Sequence, residues 1–323
     1  MIVIGANVFS MIMITKKELK KEMKQNYQLY LCILFPLIYL TIFCFGPMYG
    51  LQIAFKDFKA NLGILGSPWV GLKHFQRFFD SYLFSRLLVN TLTLSMYSLV
   101  FGFPIPIIFA LALNTTKKRV LKKTVQMVTY APYFISTIVM VGMILRFLDI
   151  RTGLINNIVG ALGLERINFM GENKLFSSIY VWSGIWQGAG WGSIIYLAAL
   201  ASIDQQIHEA AIVDGANALQ LIRYIDIPSI MPTVVIMLIL SLGNIMNVGF
   251  EKVLLMQNSL NISSSEVIQT YVYKVGIGAG GASGGVPNYS FATAVGLFNS
   301  IINFSLLFLF NYIVKKISDY RLW

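Results

Sequence analysis

The stretch that decides the reading is Ala201–Ser229, ASIDQQIHEAAIVDGANALQLIRYIDIPS. Ile207, Ala210, Ala211 and Val213 recur at helical spacing. Gly215 interrupts them as a turn residue able to take positive φ. A second helical run then carries Ala218, Leu221, Ile222 and Ile225 on one face. Pro228 is expected to stop that run, with Pro232 opening the next apolar segment. The result is a short helix–turn–helix, too polar to sit in lipid and too apolar for an ordinary loop. Such an element needs another protein to cover it.

Working outward, this hairpin lies in an unusually apolar chain. Of 323 residues, 56% are hydrophobic and only 12% are charged, against about 25% charged in a soluble domain. So little charge cannot clothe a soluble core of this size, which excludes a cytosolic enzyme and a disordered chain. Six apolar segments, at 29–49, 86–113, 125–147, 176–200, 230–250 and 292–314, each reach the roughly 20 residues that cross a bilayer. The expected fold is therefore an all-α integral membrane protein with six transmembrane helices.

Charge sets the orientation. The formal net charge is +11, and in a membrane chain this reports topology rather than nucleic acid. Lys16, Lys17, Lys20, Lys21 and Lys24 precede the first segment. Lys117, Lys118, Arg119, Lys122 and Lys123 follow the second, and Lys315, Lys316 and Arg321 follow the sixth. By the positive-inside rule these stretches, the 201–229 hairpin and both termini are cytoplasmic. Residues 1–14 are apolar but too short to span, and they lack the basic start and cleavage site of a secretory signal. They read as a surface-lying segment or as an extension ahead of a start at Met11 or Met13.

Several chemistries are absent. The two cysteines, Cys32 and Cys44, have neither metal nor disulfide spacing and read as packing residues. With only His74 and His208 besides, a metal site is not expected. Gly276, Gly278 and Gly281 spell a formal dinucleotide pattern, but no βαβ unit surrounds it, and a turning loop is the better reading. There is no Walker A pattern, so the chain does not hydrolyse ATP by itself. No long internal repeat is visible.

The run Glu209-Ala210-Ala211-x3-Gly215-x9-Ile225-x-Ile227-Pro228 resembles the EAA signature of the membrane permeases of ABC importers, with Ile227 in place of the usual leucine. The resemblance extends from about residue 27 to the C-terminus. Through PMYGLQIAFKDF at 47–58 and a helix ahead of a five-helix core, it is similar to the carbohydrate branch, the MalF-like subunits. Within that branch it is most like permeases for complex oligosaccharides of the alginate, pectin-derived or aldouronate kind. The large outer domain of the maltose subunit is absent.

This resemblance implies a type I ABC importer permease fold in a bacterial-type cytoplasmic membrane. Residues 1–28 would be a cytoplasmic N-terminal segment. Residues 29–315 would form the transmembrane domain, with its five-helix core at about 86–314 and its coupling hairpin at 203–228. Residues 316–323 would be a cytoplasmic tail. The chain would be a transport subunit and not an enzyme, taking up an oligosaccharide by ATP-driven alternating access. ATP and magnesium would be bound by partner chains, with no cofactor here. Its partners would be a second related permease, two ATP-binding subunits and an extracytoplasmic solute-binding protein.

Glu209 would contact the ATPase, Ala210 and Ala211 would allow close helix approach, and Gly215 would permit the turn. Ile225 to Pro228 would connect to the fifth span, with Asp214 and Arg223 as further contacts. The rival readings are an ion-driven secondary carrier and a membrane-embedded enzyme on lipid-linked substrates. The spans hold almost no ionisable residues, with Arg86 and Arg146 only at their edges, which disfavours a carrier. The only acidic and His groups that could serve such an enzyme, His208, Glu209 and Asp214, already fit the coupling motif.

For a substrate pathway, polar groups within spans are the candidates, since they face the bundle interior or a cavity. Asn244, Asn247 and Glu251 would share one face of the fifth span, and Asn299 and Asn303 one face of the sixth. The fourth carries Trp186 and Gln187, with Trp182 and Trp191 beyond them. Helix–helix hydrogen bonding for the asparagines and interface anchoring for the tryptophans are the competing roles. Glu251 with Lys252 reads as an interfacial charge pair. Arg146, Arg151 and Arg166 around the second outer loop would suit an acidic sugar or an acidic binding protein.

Overall fold

The computed structural model describes residues 25–277 and 287–317, and these are helices joined by short connections. Among them the only β-type pairing is a single bridge between Lys56 and Trp69. The segment at 1–14, the whole basic run Lys16 to Lys24, Arg321, and Gly278 and Gly281 lie outside the described residues.

Helix α1 spans Tyr27–Phe55 and α2 spans Lys73–Phe79. The long α3, Leu83–Thr115, is followed by α4, Arg119–Phe134, and α5, Thr137–Phe147. After α6, Leu154–Ala161, comes α7, Asn173–Ala201. The hairpin helix α8, Gln205–Val213, leads into α9, Ala218–Gly243. Then follow α10, Phe250–Met256, α11, Ile268–Gly276, and α12, Tyr289–Ile317.

Four helices, α1, α3, α9 and α12, are long and apolar enough to cross a membrane, and the bent pair α4–α5 would make a fifth. At about 1.5 Å per residue the 29-residue α7 is also long enough. Its Trp, Tyr, Gly, Ser and Gln content keeps it below the apolarity of the others. That composition suits its place, because α7 packs against α3, α4 and α9.

Two expected spans are broken. Residues 125–147 do not form one helix: α4 and α5 meet at 99°. Pro132 lies in the last turn of α4. Ser136 then caps α5, its Oγ accepting from the Val139 N–H. Gln187 on α7 donates to the Ile135 carbonyl at the break, 2.8 Å away, so the exposed backbone group has a partner. The span expected at 230–250 stops at Gly243, where an added Cβ would collide with the Leu307 side chain. Asn244, Asn247 and Glu251 therefore do not share a helix face.

Proline shapes two more places. Pro228 does not stop the second hairpin helix; α9 runs through it and through Pro232. A wide π turn at Ile222–Asp226 precedes Pro228, and a like turn at Leu40–Phe45 precedes Pro47. A proline cannot donate to the preceding turn and its ring crowds the carbonyl there, and a widened turn relieves both.

Three apolar clusters hold the bundle. Phe78, Leu87, Met246, Ile268 and Phe291 join α2, α3, α11 and α12, with Phe78 meeting Phe84, Phe291 and Phe298 edge-on. Leu94, Val141, Phe176 and Val253 join α3, α5, α7 and α10. Ala110, Tyr196, Leu200 and Ile230 seat the hairpin end of α7 against α3 and α9. By contrast α1 buries nothing within its apolar stretch, and Cys32 and Cys44 are exposed on it rather than packed in a core. A helix apolar on every side is a membrane span.

Candidate coupling hairpin and intramembrane site

The hairpin is built by local chemistry. Asp204 caps α8, its carboxylate accepting from the Gln206 N–H at 2.9 Å. At the other end the Ala216 N–H reaches the Ala211 carbonyl and the Gly215 N–H reaches that of Ile212. This pair of bonds is a Schellman turn, and it requires a left-handed residue, here Gly215 at φ +84°. Asn217 and Gln220 then form a reciprocal capping box at the start of α9.

What the turn presents is exposed and mixed in character. Glu209 accepts from Gln205 Nε2 at 2.9 Å and is otherwise open to solvent, as are Ala210, Asp214 and Arg223. Around them stand exposed Ile207, Ile212, Val213, Leu219 and Tyr224. Ala211, Gly215, Tyr224 and Ile225 line a concavity of about 230 Å³ between the two helices. Ile225 is half-buried, Pro228 is exposed, and Ile222 and Ile227 pack on the Ala110–Ile230 cluster.

The sequence reading missed the pair that ties the hairpin together. Asp226 is 2% exposed, and its carboxylate accepts from His208 Nε2 at 2.8 Å. The bond crosses from α8 to the π turn of α9. Its only trace in the sequence is an 18-residue separation, and the Gly215 turn between the two residues breaks the helical register that would relate them.

Within the bundle the asparagines converge. Asn247 Oδ1 accepts from Gln269 at 2.9 Å and from Asn299 and Asn303, each at 3.1 Å. Asn247 in turn reaches Asn244 Oδ1 at 3.4 Å. Asn303 Oδ1 accepts from the Met246 N–H, and Asn244 Nδ2 donates to the Leu240 carbonyl. These two bonds satisfy backbone freed by the break in the fifth span. Asn299 Oδ1 is buried with no protein partner. Gln269 was missed because it lies on α11, outside the apolar segments.

The cluster borders two cavities. One of about 370 Å³ lies between α3, α7 and α9 and reaches Asn244 and Asn247. Another of about 680 Å³ lies between α11 and α12 and reaches Asn247 and Asn299. Glu251, Trp186 and Gln187 are not hydrogen-bonded into the cluster. Glu251 and Trp186 are exposed, and Gln187 holds the α4–α5 break. Trp182 donates to the Tyr97 hydroxyl, and Trp191 stacks on Tyr133 at 4.6 Å. Nor do Glu251 and Lys252 pair: Lys252 turns inward and donates to the Tyr180 carbonyl.

In the connection between α5 and α7, Arg166 donates to the Arg151 carbonyl. The Asp149 carboxyl is held below its ordinary range, first by the Thr152 N–H, then by the Thr152 hydroxyl and the Arg151 N–H. Arg86 and Lys274 flank Glu266 at 2.8 and 3.3 Å.

Comparison with known proteins shows what the chain as a whole is similar to. The family model described as binding-protein-dependent transport system inner membrane component matches residues 102–319. Protein LplB of Bacillus subtilis (strain 168) is 43% identical over 294 residues, which cover 91% of this chain and 90% of that one. The polygalacturonan/rhamnogalacturonan transport system permease protein YteP of the same organism is 41% identical over 304 residues, covering 94% and 92%. Among solved structures, the chain is similar to one in a bacterial alginate ABC transporter in complex with alginate pentasaccharide-bound periplasmic protein. That match has a TM-score of 0.84 and 38% identity, covering 94% of this chain and 99% of that one.

Proposed function

This chain belongs to the family of binding-protein-dependent transport system inner membrane components, and from that premise we propose that it takes up an oligosaccharide by ATP-driven alternating access. It is a membrane-embedded permease component of an ABC importer, a transport component and not an enzyme. Its cargo is a complex oligosaccharide, in keeping with the names of the relatives YteP and the alginate transporter.

In this reading α1, α3, the α4–α5 pair, α7, α9 and α12 are the six spans of a bacterial cytoplasmic membrane protein with both termini inside. The 203–228 hairpin is the coupling element. Glu209, Asp214 and Arg223 meet a cytoplasmic ATP-binding subunit. Ala210 and Ala211 let its surface approach closely, and Gly215 shapes the turn. Ile225 and Pro228 carry the motion into α9. Asn244, Asn247, Asn299 and Asn303, with Gln269, line the pathway and offer amide donors and acceptors to sugar hydroxyls. A second related permease, two ATPase subunits and a solute-binding protein complete the complex. ATP and magnesium are bound in the ATPase subunits.

The observation that carries the coupling reading is the exposed, doubly capped turn with its apolar rim, held at the end of two long helices. The test is reconstitution of the complex in vesicles with its binding protein. Uptake that needs ATP and the binding protein, and that Glu209→Lys abolishes while the subunit stays inserted, is the expected result. Uptake driven by an ion gradient, or normal ATPase stimulation with Glu209→Lys, refutes it.

A further inference from the structure

We propose that Lys252 is the anion-recognition residue of the intramembrane cavity, the group in this chain that selects for carboxylates on an oligosaccharide cargo. The proposal rests on the importer reading above and names a specificity-determining residue of its pathway.

Lys252 is 8% exposed. Its Nζ donates to the Tyr180 carbonyl at 2.8 Å and stands over the Tyr180 ring at 4.7 Å. An ammonium has three donors, and among the described residues that carbonyl is its one hydrogen-bond acceptor. Among the described residues no carboxylate lies within ion-pair distance of it. The surrounding helices α3, α5 and α7 contain no Asp or Glu at all. The adjacent Glu251 is exposed.

Such a cation is costly to keep in a low-dielectric interior without a counter-charge. The Tyr180 carbonyl and ring offset part of that cost. The space beside it is open, because Gly184 and Gly188 remove side chains from α7 there. Nζ sits 3.2 Å from where a Cβ on Gly184 would be. Lys252, Gln187 and Gly184 border a cavity of about 300 Å³. That cavity shares Ser98, Tyr180 and Pro106 with the 370 Å³ cavity that reaches Asn244 and Asn247. A sugar chain lying across both could place hydroxyls on the amides and a carboxylate on the ammonium. An entering anion thus supplies the counter-charge that the fold withholds.

The test uses the whole complex, permeases and ATPase subunits together, with the ATPases made hydrolysis-deficient and loaded with ATP. Binding of trigalacturonate is titrated against binding of the same trisaccharide with its carboxyls reduced to alcohols. Trigalacturonate is expected to bind tighter than its reduced form. Lys252→Met is expected to weaken trigalacturonate about tenfold or more and the reduced sugar by less than about twofold. Lys252→Arg, which keeps the charge, is expected to retain the preference for acid.

Equal losses on both sugars would make Lys252 a structural clip between α10 and α7 and overturn the proposal. So would a wild-type complex that binds the neutral sugar as well as the acid. That comparison needs no variant, so it stands even if Lys252→Met misfolds. A parallel complex with active ATPases and its binding protein, whose ATP hydrolysis responds to no sugar at all, would refute the importer reading itself.

Discussion

Gly215 allows a worked prediction, because its role is conformational alone. Nothing lies within 4 Å of a Cβ built on it, but its φ is +84°. Gly215→Ala therefore introduces no clash, only the cost of holding an L-residue in the left-handed region, about 1–2 kcal/mol. Two hydrogen bonds, Ala216 N–H to Ala211 and Gly215 N–H to Ile212, depend on that conformation. If the ATPase subunit binds the formed turn, the strain lowers the competent population by roughly 5- to 30-fold. The assay titrates purified ATPase subunits onto the reconstituted permease pair and reads the half-saturation of substrate-stimulated ATP hydrolysis. Half-saturation is expected to rise by that factor with Gly215→Ala. Gly215→Asn is expected to recover most of the loss, since asparagine tolerates the left-handed region. Wild-type behaviour for Gly215→Ala, or no rescue by asparagine, would refute the reasoning.

Three further perturbations follow from particular contacts. His208→Ala leaves the buried Asp226 carboxylate without its partner, at a cost of about 1–3 kcal/mol or more, so a lower melting temperature and faster proteolysis in the hairpin are expected; an unchanged melting curve would contradict this. Gly190→Ala drives a Cβ into the Thr129 backbone of α4 and is expected to destabilise by about 1–3 kcal/mol, whereas Gly188→Ala on the same helix meets nothing and should be neutral or slightly stabilising by thermal unfolding. Because the fold lowers the Asp149 pKa through its bonds to Thr152 and Arg151, the loop gains stability above the ordinary carboxylate range, near 3.9, and loses it as pH falls through the lowered value. Hydrogen-exchange protection at Thr152 is expected to persist through about pH 4 and fail only below, and its loss already well above that pH, or an unaltered acid step in Asp149→Asn, would contradict the assignment.

Features determined by neighbours in the chain were readable before the structure. The hairpin is one: its glycine and its helical spacing act within a few residues. The uninterrupted apolar runs of α1, α3 and α12 are another. The breaks at Phe134–Thr137 and Gly243–Phe250 were not readable, because what permits them is remote. Gln187 supplies the partner for Ile135 from 52 residues away, and Asn303 supplies that for Met246 from 57. An apolar run looks continuous whether or not a distant amide stands ready to accept its broken backbone.

The candidate pathway divided on the same line. Asn244, Asn247, Asn299 and Asn303 do meet, although through the break rather than along one helix face. Glu251 was singled out as the acid near a span end, yet its neighbour Lys252 is the group turned inward. Adjacent opposite charges read as a pair in one dimension. On a helix, residues one apart face different ways, and only packing decides which is buried.

The most direct measurement of coupling is disulfide or bifunctional crosslinking from Val213, which is 86% exposed beside the turn. Val213→Cys is placed in a chain whose Cys32 and Cys44 are replaced, and the complex is assembled with single-cysteine ATPase subunits. The expected product is a permease–ATPase adduct whose yield changes when ATP closes the subunit pair. Labelling of that cysteine by a membrane-impermeant thiol reagent from the outer side of intact cells, with no adduct formed, would contradict the coupling role.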